Sequence, residues 1–171
     1  MSTPIGLFYA STTGNTERVA EQIAAALPER IQLHDIALEG IGEMAHYQLL
    51  IMGISTWEFG QLQEDWEEQW PALQTLDFSG KKIALFGLGD QLGYGEWFLD
   101  AMGALHELLQ AAGGELVLPW PIAGYRFEAS KALTGDKRHF VGLALDEDSE
   151  HHLSEARINA WIPQLLRAFE D

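Results

Sequence analysis

Apolar residues follow two alternating rhythms along this chain: short unbroken runs, and longer stretches with a period near 3.6. Ile5–Tyr9 is apolar on both faces, as a strand inside a parallel sheet must be. Thr16–Leu27 then places Val19, Ala20, Ile23, Ala24 and Leu27 on one helical face, with Pro28 as the stop. A second strand is expected at Ile31–His34 and a third at Leu49–Ile54. Trp66, Trp70 and Leu73 recur at helical spacing, and Lys82–Leu88 reads as a fourth strand. Phe98, Ala101, Met102, Leu105, Leu108, Leu109 and Ala112 predict a helix closed by Gly113-Gly114. A fifth strand begins at Glu115–Leu118, is interrupted by weakly alternating sequence over about 119–140, and resumes at Val141–Leu145. The last helix is expected from about Glu155, capped by Ser154, with Ile158, Trp161, Ile162, Leu165, Leu166 and Phe169 inward. Five strands alternating with helices predict an α/β fold: a doubly wound parallel sheet whose fifth strand carries an insertion.

Composition narrows this further. A chain of 171 residues predicts one domain, residues 1–171, with 47% hydrophobic and 21% charged residues marking it as globular, not disordered. The absence of cysteine removes disulfides, thiolate metal sites and cysteine nucleophiles. With no basic-then-apolar leader and no apolar run long enough to span a bilayer, a cytoplasmic protein is expected. A net charge of −16 argues against nucleic acid and anionic membrane as partners. No Lys or Arg lies between Arg30 and Lys81, a stretch holding Asp35, Glu39, Glu43, Glu58, Glu64, Asp65, Glu67, Glu68 and Asp77. Such a surface aids solubility, and it can also steer a basic protein partner. Four of the ten basic residues (Arg126, Lys131, Lys137 and Arg138) fall instead in the insertion.

The chemistry concentrates in the loops after strands one, three and four, the carboxyl edge where doubly wound sheets bind ligands. Ser11-Thr12-Thr13-Gly14-Asn15-Thr16, between a strand and a helix start, suits a phosphate held by hydroxyls, amides and the helix dipole. It lacks Walker spacing and any Lys or Arg before Arg18, so magnesium-nucleotide chemistry has no handle. A Thr-rich turn capping a helix would show the same residues. Ser55–Gly60 places Trp57, and Gly89–Gly95 places Asp90 and Tyr94, on separate loops that one ligand could touch together. A phosphorelay receiver shares this sheet order but needs acids where Ser11 and Ser55 stand. His151-His152 beside Asp146-Glu147-Asp148 offers metal-ligand chemistry, although a solvated loop has the same composition.

Together, Thr13-Gly14-Asn15-Thr16, Thr56-Trp57 and Gly87-Leu88-Gly89-Asp90-Gln91 through Tyr94 resemble the three FMN-binding loops of bacterial long-chain flavodoxins. The likeness extends through Gly124-Tyr125, Ser130-Lys131-Ala132-Leu133 and the return Phe140–Asp148. It implies strand order 2-1-3-4-5 with FMN at the switch between strands one and three, a placement for which flavodoxin is itself a standing example. It further implies that Ser11, Thr12, Thr13, Gly14, Asn15 and Thr16 hold the FMN phosphate, and that Trp57 and Tyr94 sandwich the isoalloxazine ring. Thr56, Glu58, Phe59, Gly60 and Trp97 complete those loops, and Asp90, with Leu88 and Gly89, meets the pyrimidine end. Glu58 and Phe59 depart from the family pattern, in which a small or amide residue more often follows the tryptophan.

The implied protein is a monomeric, low-potential one-electron carrier and not an enzyme. Its FMN would cycle between a neutral semiquinone, stabilised at N5 by a backbone carbonyl near Glu58, and an anionic hydroquinone among acidic loops. The implied donor is a flavoprotein reductase of the ferredoxin-NADP type, and the acceptors are low-potential redox enzymes docking on the acidic face. An FMN-dependent NAD(P)H:quinone reductase is the alternative on the same fold.

Overall fold

The computed structural model describes residues 3–170. In chain order its elements are β1 (Ile5–Tyr9), α1 (Asn15–Ala26), β2 (Ile31–Asp35), α2 (Ile36–Glu39), a 3-10 turn at Gly42–His46, β3 (Leu49–Trp57), β4 (Gln61–Leu62) and α3 (Glu64–Leu73). There follow β5 (Lys82–Leu88), a 3-10 turn at Gly95–Trp97, α4 (Asp100–Ala111), β6 (Glu115–Val117), β7 (Trp120–Pro121), β8 (His139–Phe140), β9 (Leu143–Leu145) and α5 (His151–Glu170).

The central sheet runs β2-β1-β3-β5-β6, all pairings parallel. Alternation along each strand divides its side chains between two layers. Leu50, Met52, Ile54, Ile83 and Leu85 face α3, α4 and the insertion. Ile5, Leu7, Leu49, Ile51, Ala84 and Phe86 face α1 and α5. Helices on both faces explain why β3 is buried without interruption from Leu49 to Ile54.

One edge position is shared by two short strands. β6 pairs with Lys82–Ala84 and β9 with Phe86–Leu88, so together they form the interrupted fifth strand expected from the sequence. Between them the chain leaves at Leu118, whose φ is 66°, and folds as a β7–β8 hairpin over an aromatic cluster. In that cluster Phe98 lies 5.5 Å from Phe140 and 5.7 Å from Phe127 between ring centres.

Three expectations are corrected. The last helix starts at His151, so Ser154 is buried one turn inside and donates to Glu147 Oε2 at 3.1 Å; it is not the cap. The cause is Asp146, whose Oδ1 accepts from Asp148 N and Ser149 N and whose carbonyl accepts from Glu150 N, turning the chain into the helix early. The third strand extends to Trp57 and folds back as β4, because Glu58 and Gly60 both have positive φ and reverse the chain. Phe98 precedes α4 instead of lying in it. Among the described residues, no helix is long and apolar enough to cross a membrane.

Candidate functional site

Where β1, β3 and β5 end, their loops enclose a cavity of about 360 Å³. Its walls are Thr12, Thr13, Asn15 and Thr16 from the first loop, Ser55–Glu58 from β3 and its turn, Leu88–Asp90 and Tyr94 after β5, and Glu147 and Asp148 after β9.

At one end lies the start of α1. Gly14 is its N-cap residue at φ 95°, a left-handed conformation that favours glycine, and no side chain caps the helix. The free N–H groups of the first turn and the positive end of the helix dipole are therefore left for a ligand. Ser11 does not line the cavity; its Oγ accepts from Gly14 N at 2.9 Å and so shapes the turn. Thr12 Oγ1 accepts from Gln63 Nε2 at 3.1 Å, and the same buried Gln63 caps α3 through Asp65 N and Trp66 N. That bond ties the first loop to the far side of the sheet.

The opposite end is aromatic. Trp57 Nε1 donates to Ser55 Oγ at 3.0 Å, which orients the indole. Thr56 Oγ1 accepts from Ala101 N at 2.9 Å, satisfying a first-turn amide of α4 that no residue of that helix's own cap reaches. Glu58 stands at φ 44°, strained for a residue with a Cβ, and Gly60 at φ 90°. A Cβ at Gly60 would fall 2.9 Å from Asp100 Oδ2, so the turn needs glycine for conformation and for space. Phe59 is 62% exposed. It leaves the cavity open and packs edge-on to Tyr94 and Trp97, at 6.1 and 5.0 Å between ring centres. Phe59, Gly60 and Trp97 thus form the outer rim.

Four acidic residues, Glu58, Asp90, Glu147 and Asp148, line the cavity, and among the described residues no lysine or arginine does. Partial desolvation pushes the Asp148 carboxyl above its ordinary range, and Asp90, Asp146 and Glu147 push it further. Beside the cavity, Arg18 lies 3.6 Å from Glu147 and donates to Asn15 Oδ1 at 2.7 Å. Asp90 Oδ1 accepts from Leu92 N, Gly93 N and Ser149 Oγ, closing its own turn. Among the described residues no group of side chains is arranged to hold a metal ion, and His151 and His152 are exposed on the first turn of α5.

Sequence reasoning placed the three loops at this edge but missed Ser55, Glu147 and Asp148 as lining residues. Their signal was available: Ser55 precedes Thr56, and Glu147-Asp148 follow the resumed fifth strand at the same carboxyl edge.

The fit to a flavin mononucleotide can be tested on this geometry. An uncapped helix start flanked by hydroxyls suits one phosphate, and two aromatic side chains on separate loops suit a flat ring. A family model described as Flavodoxin matches residues 7–161. Flavodoxin 2 of Escherichia coli (strain K12) is 49% identical over 163 residues, covering 95% of this chain and 94% of that protein. Flavodoxin 1 of the same strain is 44% identical over 161 residues, covering 94% and 91%. Among solved structures, Fusobacterium nucleatum flavodoxin bound to flavin mononucleotide superposes with a TM-score of 0.91 at 29% identity, over 97% of this chain and 98% of that one.

Proposed function

The chain belongs to the flavodoxin family, and from that premise we propose that it carries electrons singly on non-covalently bound FMN. The supporting observation is the convergence of an uncapped helix start and two aromatic loops on one cavity that no lysine or arginine lines among the described residues. FMN, when bound, would supply the electron chemistry, which the side chains themselves lack.

Each part of the chain then has a task. Thr12, Thr13, Asn15 and Thr16, with the first amides of α1, hold the phosphate; Ser11 and Gly14 shape that loop. Trp57 and Tyr94 flank the ring and exclude water from its faces. Glu58, preset at positive φ, offers its backbone carbonyl as the hydrogen-bond acceptor at the ring's edge. Glu58, Asp90, Glu147 and Asp148 oppose the negative charge of full reduction. At an effective dielectric near 20, one carboxylate about 10 Å away opposes it by roughly 1.7 kcal/mol, or about 70 mV. Several together make the second step strongly reducing. The acidic surface is the docking face for a basic patch on a ferredoxin-NADP-type reductase and on low-potential acceptor enzymes.

The test is FMN titration of the apoprotein followed by nicotinamide oxidation. One FMN per chain should bind, no NADPH should be consumed by the chain alone, and added reductase should reduce it at a rate that falls with salt. Direct oxidation of NADPH coupled to a quinone would overturn the carrier reading in favour of a quinone reductase.

A further inference from the structure

The insertion backs the loop that carries Asp90 and Tyr94. Glu128 N and Ala129 N both donate to the Gly95 carbonyl, at 2.8 and 2.9 Å, and Phe98 N donates to the Ala129 carbonyl at 3.3 Å. Arg126 N donates to Gln91 Oε1. Gln91 is only 2% exposed, although glutamine on a loop is ordinarily solvated. Its backbone N–H donates to Asp146 Oδ2 at 3.0 Å, and its Nε2 donates to that oxygen at 2.9 Å and to Glu150 Oε1 at 2.6 Å.

These bonds close a circuit. Glu150 Oε1 also accepts from Arg157 Nη2 at 2.9 Å, and the guanidinium carbon of Arg157 lies 4.2 Å from the ring centre of Tyr125, the neighbour of Arg126. Tyr125 in turn donates from its hydroxyl to the Ala144 carbonyl at 2.6 Å, fixing the insertion to β9. Asp146, fully buried, accepts from four donors: Gln91 N, Gln91 Nε2, Asp148 N and Ser149 N. Arg157 Nη1 is the one member atom left without a hydrogen-bond partner among the described residues; elsewhere donors and acceptors are matched, which makes the network rigid, and losing one member leaves others unpaired.

We propose that Gln91 is a positioning residue for the ring end of the site: it ties the insertion, Asp146 and Glu150 to one loop and thereby fixes how Asp90 and Tyr94 meet FMN. The inference rests on the flavin reading above. The insertion's task at this edge is then to hold the third loop in shape through Arg126, Glu128 and Ala129.

The test must separate positioning from plain loss of stability. Gln91→Leu removes the side-chain donors and the acceptor, whereas Leu109→Ala truncates a buried residue near the far end of α4 without touching the loop. Both are compared by thermal unfolding, by amide exchange in the apoprotein, by FMN affinity and by the two one-electron potentials. Relative to the control, Gln91→Leu should speed exchange at Leu92, Gly93 and Tyr94 at least tenfold and weaken FMN at least tenfold. It should also change the gap between the two potentials. Equal exchange and equal affinity in the two variants would overturn the proposal. Should Gln91→Leu fail to fold, Asp146→Asn, which replaces one of the two accepting oxygens of the network with a donor, carries the same comparison. A wild-type chain that bound no FMN would end the flavin reading, while loop exchange would still decide whether Gln91 fixes the loop.

Discussion

At its phosphate end the cavity is made from consecutive residues and the first turn of one helix, whereas at its ring end it is assembled from the end of β3, the segment after β5 and the loop after β9. The first end uses backbone amides that any strand-turn-helix supplies. The second uses side chains whose positions depend on Gln91, Asp100 and Asp146, none of them aromatic and all of them buried. Both ends use positive φ, at Gly14 in the first and at Glu58 and Gly60 in the second, but the glycines are at ease there and Glu58 is not. The contrast implies a division of labour: the local end distinguishes a mononucleotide from a ligand without phosphate, and the assembled end grips the ring and sets what happens to its electrons.

The largest expected effect separates the two ends directly. Trp57→Ala should weaken FMN and riboflavin alike by about 30-fold, since stacking on an aromatic ring is worth ~2 kcal/mol. Equilibrium titration with both ligands checks it, and a loss confined to FMN would mean that Trp57 does not face the ring. Gly14→Ala probes the other end. A Cβ there meets no atom within 4 Å, so its cost is conformational, about 1–2 kcal/mol of apoprotein stability. FMN should weaken about tenfold while riboflavin is unchanged.

Glu58→Gly should act in the opposite direction on stability. Relief of its φ of 44° outweighs the added freedom of the unfolded chain, for a gain of roughly 0.5 kcal/mol in denaturant unfolding. The companion Glu58→Gln keeps the side chain and removes its charge, and should raise the second reduction potential by tens of millivolts at low salt, less at high salt. A rise independent of salt would assign the effect to geometry instead of charge.

The smallest effect is a slope in pH. Burial raises the Asp100 carboxyl above its ordinary 3.8, although the hydrogen bond from Lys131 N pulls it down. The folded state therefore binds this proton more tightly than the unfolded state. Its contribution to stability is largest at low pH and declines as pH rises from 3.8 through the raised value. Asp100→Asn should lack that decline, so its stability relative to wild type should climb across this window and then level off. A flat difference between the two would show that Asp100 ionises as freely folded as unfolded.

What could be read from the sequence follows the same division. The phosphate loop is contiguous, and its strand, glycine and helix start appear side by side from Ile5 to Leu27. The split fifth strand was also legible, because Glu115–Leu118 and Val141–Leu145 are both apolar and the stretch between them loses the pattern. Gln63 and Gln91 carry no such mark: a glutamine in a loop reads as solvated until partners distant in sequence bury it. Ser154 misled for a related reason, since the Asp146 turn starts the helix upstream of the best capping residue. Phe59 read as a site residue because it follows Trp57, yet the left-handed turn at Glu58 carries it outward to the rim.

Stepwise anaerobic reduction of the FMN-loaded protein at controlled potential, followed by absorption, tests the central claim most directly. One-electron carriage predicts two separated steps, the first giving a long-wavelength band that the second removes at a strongly negative potential. Bleaching in a single two-electron step would contradict it.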